Sequence, residues 1–144
     1  VENLLAEPGG FAETIEVSHF WHGIMETYTE LKRQLAPYAD EVLGHFSHVY
    51  PQGASLYIIL LGRTANDAAA EARVRMIWQI AMEAALGSGA AISHHHGIGL
   101  ARAPYVADDL GTGFLLLQRL KAALDPAGIM NPGKLGFDRG GEGQ

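Results

Sequence analysis

A chain of 144 residues, 48% hydrophobic and 18% charged with a mean hydropathy near zero, is long enough for one domain with a real core and too short for two ordinary ones. Ten Lys and Arg against sixteen Asp and Glu leave a formal charge of −6, which repels a polyanion, so no nucleic-acid partner is expected. The absence of cysteine excludes a disulfide framework, a thiolate nucleophile and a cysteine-ligated zinc. Residues 1–12 read as a linker from a preceding N-terminal part, since Val1 is not Met and Val1–Gly10 carries no structural pattern. Glu13–Val17 alternates polar and apolar residues as a short strand does, and Ser18 offers a side-chain oxygen to cap a following helix. Trp21, Ile24, Tyr28, Leu31 and Leu35 then make one helical stripe that ends before Pro37. Glu41–Val49 is extended, Tyr50-Pro51-Gln52-Gly53 has turn chemistry, and the apolar run Leu56–Leu61 predicts the central strand of an antiparallel hairpin. Thr64–Leu86 is a helix with Val74, Ile77, Trp78, Ala81, Met82 and Ala85 on one face, stopped by Gly87. A loop through Ser93–Gly99 precedes a helix over about Thr112–Leu124 and a Pro- and Gly-punctuated end, with 137–144 as a flexible tail. The order β-α-β-β-α predicts an α+β fold, an antiparallel sheet with helices packed on one face plus a C-terminal helical segment. The longest apolar runs, Ala54–Leu61 and Phe114–Leu117, fall far short of the roughly 20 residues that span a bilayer, and a cytoplasmic location is expected.

The seven histidines fall as His19 and His22, His45 and His48, and the run His94-His95-His96. In an extended loop His94 and His96 point one way and His95 the other, which disfavours one metal ion on all three, and no metal site is expected. Imidazoles beside Gly97-x-Gly99 could polarise a carbonyl, move a proton near neutral pH or hold a phosphate; a solvated polar loop is the plain alternative. His45 and His48 sit on opposite faces of one strand and cannot share a ligand without a bulge. His19 and His22 read as the solvated first turn of a helix. By periodicity Tyr57 is a half-buried core residue, and Trp78 and Met82 are core. There is no G-x-x-x-x-G-K-[ST] and no G-x-S-x-G, so neither a nucleotide loop nor a serine nucleophile can be assigned.

The stretch Ile92-Ser93-His94-His95-His96-Gly97-Ile98-Gly99 with Arg102, then Leu120–Pro126 and Ile129-Met130-Asn131-Pro132-Gly133-Lys134-Leu135, resembles the C-terminal part of FAD-linked oxidases of the vanillyl-alcohol oxidase type. The resemblance runs over 13–136, and its S-H-H-H-G-x-G run is similar to the alkyldihydroxyacetonephosphate synthase branch. It implies half of a ferredoxin-like cap domain that covers a flavin, with FAD bound mainly by a missing N-terminal domain of the same protein. A small-molecule or lipid-like substrate is the implied ligand, and a second copy of the chain is a further candidate partner. By resemblance Tyr57 is the proton acceptor and donor, His94, His95 and His96 position substrate and stabilise charge, Arg102 meets a phosphate or carboxylate or braces the loop, and Asn131 contacts the cofactor. In that branch a flavin adduct with an acylated dihydroxyacetone phosphate exchanges its acyl group for an alkyl group. The 144-residue piece alone is expected to be inactive. Two alternatives follow. The dehydrogenase branch acts on D-2-hydroxyacids such as lactate and glycolate, and binds a divalent metal through the histidines of a G-H-x-G-D-G-N-x-H strand and a glutamate; here only Gly44-His45 survives, Ser47-His48-Val49 replaces the G-D-G core and His95 stands at the glutamate position. The other alternative is a non-catalytic ferredoxin-like module whose histidines bind a divalent ion and whose edge strand pairs with a partner.

Overall fold

The structure, a computed structural model, describes residues 2–137. The chain divides into two compact units, Val1–His96 and Gly97–Gln144. The first begins with a four-residue helix α1 (Glu2–Leu5), followed by strand β1 (Gly10–Phe20), helix α2 (Ile24–Leu35) with a 3-10 turn at Ala36–Tyr38, strands β2 (Glu41–Val49) and β3 (Gly53–Arg63), and helix α3 (Asp67–Gly87). The strands form one antiparallel sheet in the order β1-β3-β2, with the predicted apolar strand at its centre.

Alternation along the strands decides what each face meets. Ile15, Val17, Leu56, Ile58 and Leu60 are buried with Ile24, Leu31 and Leu35 of α2 and Ile77, Ala81 and Met82 of α3. That is the core, and α2 and α3 pack against each other and against the sheet. Asn66 caps α3 by accepting the Ala69 N–H at 2.9 Å. Gly89, at φ 77°, is the left-handed residue that turns the chain out of the helix, two residues beyond the expected stop.

Ser18 does not cap a helix. It lies inside β1, and its N–H and C=O bond Ala91 at 3.1 and 2.9 Å, so the chain leaving α3 runs along the outer edge of the sheet. β1 stays extended because it pairs with β3 as far as Phe20 opposite Gly53, where a Cβ would stand 2.1 Å from the His19 carbonyl oxygen. Trp21 therefore falls in the turn before α2 instead of on its buried stripe, and its indole N–H donates to the Tyr50 carbonyl at 3.0 Å. Part of the expected linker is likewise structured, since α1 lies within it and β1 begins at Gly10.

The second unit holds α4 (Gly99–Arg102), a 3-10 turn at Ala103–Tyr105, α5 (Val106–Leu110) and α6 (Thr112–Leu124). The short helices before α6 were not predicted; α6 has its predicted span. Phe114 is the one buried residue of α6, and it stacks on Phe137 with ring centroids 5.6 Å apart. Among the described residues no helix is long and apolar enough to cross a membrane. The predicted tail from residue 138 onward lies outside the described residues.

Candidate functional site

The face of the sheet away from the helices carries a row of three residues, one from each strand. Tyr57 on the central strand pairs with Glu16 on one side and with His45 on the other. Glu16 is fully buried, and what buries it is the histidine loop. Its carboxylate accepts the backbone N–H groups of His94, His95 and His96 at 3.0, 3.1 and 3.4 Å, and the Ser93 hydroxyl donates to it at 3.3 Å. A buried carboxylate costs free energy unless it is hydrogen-bonded, and consecutive amides turned toward one anion supply those bonds. Burial pushes the Glu16 carboxyl up, yet the three loop amides and the neighbouring His95 together hold it below its ordinary value.

The same carboxylate sets the ring of His95. His95 Nδ1 stands 2.9 Å from Glu16 Oε1 and its Nε2 stands 2.7 Å from the Tyr57 hydroxyl; with the ring proton on Nδ1, facing the carboxylate, Nε2 is the acceptor for the phenol. Glu16, His95 and Tyr57 thus form a continuous carboxylate–imidazole–phenol relay, buried at the carboxylate and open to solvent at the imidazole. Tyr57 is half-buried, as its periodicity predicts, and it also faces the loop: its ring centroid lies 5.8 Å from His95 and 5.2 Å from His96.

The alternating arrangement expected for the run does not hold. His94 Nδ1 and His95 Nδ1 converge to 3.0 Å, because a loop wrapped around one carboxylate is not an extended strand. A register shift in β2 between Phe46 and Val49 supplies the bulge needed to bring His45 and His48 to one face: the His45 ring lies 5.7 Å from that of Tyr57, while His48 stands 4.4 Å from His95 and 5.5 Å from His94. His48, His94 and His95 each offer a ring nitrogen within 4.8 Å of the others. His19 lies at the end of β1, not in a helix, with its Nε2 3.2 Å from the Ser88 carbonyl oxygen. A cleft of about 260 Å³ beside His94 is lined chiefly by Phe20, Tyr50, Ala54 and Ala91.

The structure therefore brings Tyr57, His94, His95 and His96 together and adds Glu16, which sequence reasoning missed. A glutamate in polar/apolar alternation reads as solvent-facing, and its partners are backbone amides 78 to 80 positions away, which leave no mark on residue identity. Arg102 and Asn131 belong to the second unit. Arg102 is buried and donates Nη1 to the Gly97 carbonyl at 3.3 Å, which braces the end of the loop. Asp125 accepts the N–H groups of Ile129 and Met130 at 3.0 and 2.9 Å and the Lys121 ammonium at 2.5 Å. The Lys121 hydrogen bond foremost, with those amides, holds the Asp125 carboxyl below its ordinary value against the opposing effect of burial. The turn so closed presents Asn131, at φ 47°, on a cleft of about 410 Å³ with Lys121, Leu124 and Lys134.

The model of the family described as FAD linked oxidases, C-terminal domain, matches residues 1–135. The chain is 31% identical over 140 residues to an uncharacterized FAD-linked oxidoreductase, YgcU, of Escherichia coli O157:H7, covering 91% of this chain and 29% of that protein. It is 32% identical over 121 residues to alkyldihydroxyacetonephosphate synthase of Trypanosoma brucei brucei, covering 81% of this chain and 19% of the synthase. Glycolate oxidase subunit GlcD of Bacillus subtilis (strain 168) is 39% identical over 64 residues, 44% of this chain and 14% of that subunit. The chain spans less than a third of the length of these relatives.

Proposed function

Because the chain belongs to the C-terminal domain family of FAD-linked oxidases, we propose that it is the substrate-facing part of an FAD-dependent oxidoreductase or transferase resembling alkyldihydroxyacetonephosphate synthase. The observation that carries this reading is the Tyr57 hydroxyl 2.7 Å from His95 Nε2 with the buried Glu16 carboxylate behind the ring. The donor set suits the reactive end of a flavin and its substrate, since it can hold and move a proton at an exposed oxygen. It does not suit the nucleotide end, because no glycine-rich phosphate loop is present. FAD is therefore held mainly by a part of the protein N-terminal to this chain, with Asn131 as this chain's contact to it. When bound, the flavin supplies the electron-accepting ring.

The chain's own residues do the proton work. His95 Nε2 takes the phenolic proton of Tyr57, and the imidazolium so formed is stabilised by the Glu16 carboxylate at 2.9 Å. The Tyr57 oxygen then accepts a proton from substrate and returns it in the reverse half. His96, whose ring centroid lies 5.2 Å from that of Tyr57, and His94, whose Nδ1 lies 3.0 Å from His95 Nδ1, steady developing negative charge. The small apolar cleft beside His94 takes the first carbons of an acyl or alkyl chain. Acyl to alkyl exchange on an acylated dihydroxyacetone phosphate combines these demands: a proton transfer, an anionic head and an apolar tail.

A second reading, oxidation of a D-2-hydroxyacid, draws on the similarity to the glycolate oxidase subunit. One experiment separates the two. The full-length protein is purified, its visible spectrum recorded, and flavin absorbance followed with an acyl dihydroxyacetone phosphate and with D-lactate or glycolate. Bleaching by the first substrate that Tyr57→Phe and His95→Ala each slow by about 100-fold or more, with FAD retained, supports the synthase-like reaction. Reduction by the hydroxyacid alone supports the dehydrogenase, and a colourless protein overturns both.

A further inference from the structure

The cluster of His48, His94 and His95 has a use that the relay does not absorb. Each of the three offers a ring nitrogen within 4.8 Å of the others, and Nδ1 of His94 and Nδ1 of His95 stand 3.0 Å apart, a range that brackets the spacing of about 3.4 Å that tetrahedral coordination at about 2.0–2.1 Å per Zn–N bond requires. The donors are imidazoles alone and all three residues are exposed, which suits a borderline ion such as Zn²⁺ over Mg²⁺ or Ca²⁺ and lets it enter from solvent. The Ser55 hydroxyl accepts the His48 backbone N–H at 3.1 Å and lies 3.4 Å from His48 Nδ1, so the ring is oriented from behind and Nε2 is left to ligate. Glu16 Oε1, 2.9 and 3.7 Å from Nδ1 of His95 and His94, brings an anion next to the added charge. This set differs from that of the dehydrogenase branch, since His45, the strand histidine that survives from that pattern, is not a member.

We propose that His48, His94 and His95 form a zinc-type site whose occupancy switches the Glu16–His95–Tyr57 relay off. His95 has two ring nitrogens, and each already serves the relay, one toward Glu16 and one toward Tyr57. Whichever nitrogen takes the ion, one of those contacts is lost, so the relay and the ion exclude each other. The exclusion rests on the relay proposed above; the site itself does not.

The test uses the full-length protein, freed of metal, with Zn²⁺ alone as the probe. Binding is measured by competition with a chromophoric chelator, and turnover is measured with and without zinc. One zinc per chain is expected. His48→Ala and His48→Asn should weaken its binding by about tenfold or more, the asparagine retaining a polar contact to Ser55, while Tyr57→Phe binds zinc as the parent does. Zinc should inhibit the parent, and the ratio of turnover without and with zinc should return toward one in the His48 variants. Zinc binding indifferent to both His48 substitutions overturns the site, and full turnover with the site saturated overturns the switch. A protein with no turnover before zinc is added counts against the functional reading instead, and the binding measurements then still decide the site.

Discussion

Glu16 concentrates several demands in one side chain. It satisfies three loop amides, orients an imidazole and is sealed from solvent. Glu16→Gln keeps the shape but replaces one acceptor oxygen with a donor and removes the charge, so it should cost about 2 kcal/mol in denaturant unfolding and slow turnover by about 100-fold. Retention of full activity in that variant would remove the carboxylate from the relay. The pH dependence has a definite sign. The folded carboxyl lies below its ordinary value of 4.5, so on acidification the unfolded chain takes up this proton first. The stabilisation is complete above that ordinary value and is lost as pH falls through the folded one. Unfolding free energies measured across pH 2–6 should therefore fall less steeply on acidification for Glu16→Gln than for the parent; parallel curves would contradict the assignment.

At the scale of elements, much of the architecture could be read from periodicity. The β2–β3 hairpin, the long helix α3 and the span of α6 announce themselves through apolar runs, turn residues and stripes. The start of α2 does not, because Ser18 has the chemistry of a cap while cross-strand pairing with β3 keeps it extended, and local propensity yields to tertiary pairing. The histidine run stands out as a candidate site on its residues alone; resemblance adds Tyr57, which periodicity by itself reads as core. The bulge in β2 has no sequence signature, and without it His48 would be placed on the wrong face. The close approach at Gly53 bears directly on this layer. Gly53→Ala puts a methyl group 2.1 Å from a backbone oxygen of β1, and it should destabilise the chain by about 1–3 kcal/mol and shift the pairing that seats Glu16 opposite Tyr57. Thermal unfolding together with the turnover assay checks both; an unchanged melting temperature would show that the strands separate freely there.

At the scale of the whole chain the two units differ in how they are held. The first has a core drawn from both helices and the sheet, whereas α6 buries Phe114 and leaves Leu115, Leu116, Leu120 and Leu124 exposed. A helix of this length gains little from its own hydrogen bonds, so hydrogen exchange on this chain should be slowest in β3 and markedly faster along α6. Equal protection in the two would contradict that picture.

The grip of Glu16 on the loop is mostly a grip on main chain, with side chains taking part at Ser93 and His95. Conformation and chemistry are therefore separable at positions 94 and 96: their backbone N–H groups hold the loop in place whatever side chain they carry, proline apart. A library varied at these two positions should yield folded proteins almost throughout, with substrate range as the property that changes. The strand beneath would continue to set where the loop lies while the two side chains decide what it recognises.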